Sequence, residues 1–80
     1  MNDPGPLKEY LLTSVVPLPD SGFEKFPDVD VWGRVVRMPE ESWAVNMARA
    51  MAIAYGARLH VYDQTKGGEL IWAGSGLKAE

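Results

Sequence analysis

The chain has no cysteine, a single histidine and no apolar run of membrane-spanning length. Each absence removes a class of function. Without cysteine there are no disulfides, no thiolate metal ligands and no cysteine nucleophile. His60, alone, cannot build a zinc site unless a second chain supplies ligands, so no metal is expected. A membrane helix needs about 20 consecutive apolar residues, and none of the runs here approaches that. The opening MNDPGPLKEY lacks a basic segment followed by an apolar one, so no secretory signal is expected and the expected location is cytoplasmic.

Excess positive charge is also missing. The net charge is −3, with six acids and two lysines in residues 1–30. Residues 31–66 reverse the balance, carrying Arg34, Arg37, Arg49, Arg58 and Lys66 against Glu40, Glu41 and Asp63. That is not the basic footprint of a duplex-DNA binder, although it allows one locally positive surface. Apolar residues make up 46% of the 80 positions, enough for one modest core and too many for a disordered chain.

The pattern of what is present reads as one small α+β domain. Residues 1–6 (MNDPGP) are expected to form a flexible leader and residues 75–80 a flexible tail, with a single domain over 7–74. KEYLLTSVVPL reads as a strand stopped by Pro17 and Pro19, and residues 17–28 as a long proline-containing loop. DVDVWGRVVRM reads as a second strand, where Gly33 marks a bulge or the close approach of another backbone. PEESWAVNMARAMAIAYG reads as a helix, with Pro39 at its first position, Glu40 and Glu41 at the positive end of its dipole and Gly56 as its stop. ARLHVYD and ELIWAG then form a hairpin around Lys66-Gly67-Gly68. The expected architecture is therefore ββαββ: a four-stranded, mainly antiparallel sheet with one helix packed on one face.

Winding the helix at about 100° per residue gives two apolar stripes side by side. One holds Ala44, Ala48, Met51, Ala52 and Tyr55; the other holds Trp43, Met47, Ala50 and Ala54. Together they span roughly 220°, about twice what a helix on one sheet must bury. Something else should therefore cover the second stripe, either the 17–28 loop through Phe23 and Phe26 or another protein. In the hairpin, Leu59, Val61, Leu70 and Trp72 alternate onto the inner face, while Arg58, His60 and Tyr62 share the outer one. Arg34 would join them if Gly33 forms a bulge.

Chemistry finds little support. Asp63 lies on the opposite strand phase from His60, and Lys66 lies in the turn, so no oriented base is formed. The serines occupy no G-x-S-x-G context, Asp28 and Asp30 match no calcium loop, and the glycines of KGGELIWAGSG precede no helix that would cradle phosphate. No catalytic residue, cofactor or small-molecule ligand is indicated, and the chain is not expected to be an enzyme.

Residues 39–74 resemble small uncharacterised bacterial domains of ββαββ order. The resemblance rests on Ala44, Ala48 and Ala52 repeating along the helix, followed by GARLHVYDQTKGGELIWAG. It implies the fold and carries no activity. The expected function is that of a non-enzymatic protein-interaction module. It would be a homodimer or an accessory, regulatory or inhibitory protein of bacterial or phage type, contacting its partner through Trp43, Met47, Ala50, Ala54, Phe23 and Phe26. The alternative is single-stranded nucleic-acid binding through Arg34, Arg58, His60 and Tyr62 on an open sheet face.

Overall fold

Strand-forming residues and one alanine-rich segment set the order of elements in the computed structural model, which describes residues 6–76. Strand β1 (Lys8–Ser14) is followed by β2 (Glu24–Lys25), β3 (Trp32–Met38), helix α1 (Glu41–Tyr55), β4 (Arg58–Asp63) and β5 (Glu69–Ser75). The sheet is antiparallel throughout, in the order β2-β3-β1-β4-β5. The α+β architecture with one helix is as the residue pattern implies, but the sheet has five strands where four were expected. The extra one, β2, is a two-residue pairing of Glu24 and Lys25 with Gly33 and Trp32 inside the expected 17–28 loop.

Helix α1 lies mainly over β4 and β5. Its buried residues are Ala44, Ala48 and Ala52, whose short side chains bring the helix backbone close to the sheet. Against them pack Tyr10, Leu12, Val36, Leu59 and Val61, and Leu18 closes the core from the loop. The helix starts two residues after Pro39, which stays in the entering turn with Glu40 still extended. It stops at Gly56, whose φ of 62° and ψ of 39° suit a residue without Cβ.

Several boundaries move for identifiable reasons. β1 ends at Ser14, because its hydroxyl donates to the Val16 carbonyl (2.7 Å) and accepts from the Val16 amide (3.1 Å). This local ring turns the chain out of the sheet and leaves Val15 and Val16 exposed. β5 continues through Ser75, and the Gly76 amide donates to the Ala57 carbonyl at 3.1 Å, so the first two residues of the expected tail belong to the fold. Most of the expected leader (1–5) and the rest of the tail (77–80) lie outside the described residues.

Gly33 does not form a bulge: the β1–β3 register runs unbroken past it. It is instead a point of close approach. A Cβ there would lie 2.8 Å from two atoms of the Phe26 ring and 2.9 Å from the Leu12 carbonyl oxygen. The bulge in this sheet falls in β5, where Val61 faces Trp72 but Tyr62 faces Leu70. Ile71 is the additional residue, and it packs with Trp72 against the core. Leu70 is thereby turned to the face opposite the helix and is 50% exposed, not packed inside as strict alternation implies.

Candidate functional site

Two surfaces hold the residues singled out from the sequence: one flank of α1 and the face of the sheet away from it. On the helix, residues 43, 47, 50 and 54 fall within about 60° of one another. Trp43 is 55% exposed, Ala50 and Ala54 are exposed, and Met47 sits at the shoulder where the flank meets the core. Ile53, about 80° further round from Trp43, is 64% exposed and extends the apolar surface. Nothing in the stripe pattern singles it out, because it lies on the polar side of the wheel beside Asn46 and Arg49.

The 17–28 loop does not cover this flank. Ser21 fastens it with a hydroxyl that donates to the Leu18 carbonyl at 2.6 Å, and the Tyr55 hydroxyl donates to the Pro19 carbonyl at 2.8 Å. That contact is at the C-terminal end of α1, twelve residues and so about 18 Å from Trp43. Phe23 packs against the core, and Phe26 lies over Gly33. Phe26 therefore stands on the sheet face away from the helix and Phe23 against the core, and neither adjoins Trp43.

The open face carries Arg58, His60 and Tyr62 as alternation requires, and the His60 and Tyr62 rings stack with centroids 6.3 Å apart. Arg34 is not among them. With no bulge at Gly33 it faces Leu12, on the helix side of the sheet, where its guanidinium donates to the Ser21 carbonyl at 3.2 Å. The cluster expected from sequence is therefore reduced to one arginine, one histidine and one tyrosine. Its neighbours are apolar, since Leu11 and Val35 lie opposite one another and Leu11 lies opposite Tyr62.

His60 and Asp63 stand on opposite faces of the sheet. Asp63 is 2% exposed on the helix side and accepts from the amides of Thr65 (2.9 Å) and Lys66 (3.3 Å). Its carboxylate holds the turn before β5 and does not orient His60. Among the described residues no cluster of three or more His, Cys, Asp or Glu is placed to hold a metal ion. A cleft of about 270 Å³ lies where β2 ends, lined by Gly22, Glu24, Phe26, Gly33, Arg34 and Val35. That volume is below the usual range of small-molecule sites. Among the described residues no helix is long and apolar enough to cross a membrane.

The phenol of Tyr10 is pushed above its ordinary value of 10.0. Burial under the helix is the main cause, reinforced by the negative charges of Asp63, Glu41 and Glu40. Tyr10 belongs to the core, and the shift describes packing, not reactivity.

Comparison with protein-family models, with curated proteins and with solved structures finds no match for this chain.

Proposed function

We propose that this chain is a non-enzymatic interaction module that docks on another protein through the flank of α1 formed by Trp43, Met47, Ala50 and Ala54, with Ile53 beside it. The observation that carries this reading is Trp43, 55% exposed on a helix whose own loop is fastened elsewhere. A tryptophan in water exposes a large apolar surface, and such residues dominate the energetics of protein interfaces. The alanines beside it lose little side-chain entropy on contact and allow close approach of a partner. Binding of this kind acts by occupancy, which suits an accessory, regulatory or inhibitory role.

A photo-crosslinking residue introduced at Ala50, in cells of the organism that makes the protein, tests this directly. A discrete crosslinked product is expected, lost when Trp43→Ala is added and retained with Arg58→Ala. Truncating a central tryptophan should weaken binding by about 2 kcal/mol or more, roughly thirtyfold. The assignment fails if Trp43→Ala and Met47→Ala leave self-association and every partner contact intact.

A further inference from the structure

The sheet face opposite the helix has the anatomy of an interface between two copies of the chain. Register places Val35, Leu11, Tyr62 and Leu70 in one row across β3, β1, β4 and β5. A second row holds Gly33, Thr13, His60 and Ala73, with the Phe26 ring laid over Gly33. Val35 and Leu70, at the two ends of the first row, are 52% and 50% exposed. Charged residues of these strands stand only at the rim. Glu9 and Arg37 bond to each other at 3.0 Å at one end, and Glu24 and Arg58 stand toward the other.

We infer that this face is the interface of a two-fold dimer, two sheets packed face to face with both helices outward. Three features identify a second copy as the occupant. The strand charges of the face balance, two acids against two arginines, so two copies carry no net charge toward one another, and the like-charged Glu9 and Arg58 pairs that the two-fold brings together stay at the solvated rim. A polyanion would need a net positive face. Next, the rows complement themselves in size. A two-fold axis along the strands between β1 and β4 sets Val35 against the second copy's Leu70 and Leu11 against its Tyr62. It also sets the tall Phe26–Gly33 pair against the small Ala73, before the crossing of about 30° usual for packed sheets is applied.

Area is the third feature. Four strands at about 4.8 Å spacing, over the roughly 20 Å from Arg37 to Arg58, give about 400 Å² of flat surface per copy. Two copies then bury about 800 Å², the size of a weak, transient association. The dimer should therefore be weak and concentration-dependent, with a dissociation constant in the micromolar range or above. It does not rest on the helix-flank reading. It would leave both flanks facing outward and make the module bivalent.

Sedimentation equilibrium of the purified chain from about 1 µM to about 1 mM is the test. The expected result is a monomer–dimer equilibrium whose dissociation constant rises at least about tenfold in Leu70→Lys and in Val35→Lys. Both positions are half exposed, so the variants keep the fold, which circular dichroism would verify. Trp43→Lys should leave the equilibrium unchanged. A monomer at every concentration would overturn the inference, as would a dimer lost in Trp43→Lys and kept in Leu70→Lys. Salt-sensitive binding of a single-stranded oligonucleotide, weakened by Arg58→Ala, would assign the face to nucleic acid and overturn it equally.

Discussion

Replacing Gly33 with alanine should destabilise this protein, although at an ordinary strand position the same change helps. Removing a strand glycine normally stabilises by up to about 1 kcal/mol, because glycine loses more backbone entropy on folding. Here the new methyl would stand 2.8 Å from the Phe26 ring and 2.9 Å from the Leu12 carbonyl oxygen. The carbonyl is fixed in the β1–β3 ladder, so the ring must leave. Phe26 is half-buried, and giving up that burial costs about 1 kcal/mol. Residual crowding against β1 costs about 1–2 kcal/mol more, and the net loss should be near 2 kcal/mol.

For a domain of this size, that loss lowers the melting temperature by roughly 10 °C. Urea denaturation followed by far-ultraviolet circular dichroism measures it. In a Phe26→Ala background the cost of Gly33→Ala should fall by about 1 kcal/mol, because the ring it displaces is gone. A neutral or stabilising Gly33→Ala would refute the reasoning, and so would an equal cost in both backgrounds.

Three further substitutions examine other parts of the structure. Asp63→Ala removes the acceptor for the Thr65 and Lys66 amides, and should cost about 1–3 kcal/mol in urea denaturation. Gly76→Ala would drive a methyl into the Ala52 carbonyl at the end of α1 and break the bond from the Gly76 amide to Ala57. A loss of about 1–2 kcal/mol is expected, with faster hydrogen exchange at the C-terminal end of β5. Tyr10 makes stability depend on alkaline pH. Because its folded pKa lies above the unfolded value of 10.0, its contribution is fully present below that value and is lost as pH rises through the folded pKa. Tyr10→Phe should flatten the decline of stability above pH 10, and an unchanged decline would show that other groups cause it.

The helix and the hairpin were legible in the sequence because their signals are periodic. Alanines at 44, 48 and 52 with a terminal glycine specify a helix that approaches its sheet closely, and alternation from Arg58 to Asp63 places each side chain on its correct face. What escaped is aperiodic. β2 is two residues long, too short for any alternation to register. The extra residue at Ile71 inverts the phase of β5 on one side of it, which carries Leu70 outward while Trp72 stays inside. Gly33 signalled an irregularity, but whether a bulge or a bound ring satisfied it depended on Phe26, seven residues away through a proline-containing turn. That one choice also decided the face of Arg34. On the helix, the exposure of Trp43, Ala50 and Ala54 was legible from the stripe, whereas the positions of Phe23 and Phe26 away from it depend on tertiary contacts.

The most direct test of the central claim is oxidative footprinting of Trp43, comparing the purified protein with the protein inside the cells that make it. The purified chain should be oxidised readily at Trp43, which is 55% exposed, and more slowly at half-buried Trp32 and Trp72. If the flank of α1 docks on a partner, Trp43 becomes selectively protected in the cell while Trp32 and Trp72 keep their rates. Equal oxidation of Trp43 in both settings would contradict docking through this flank.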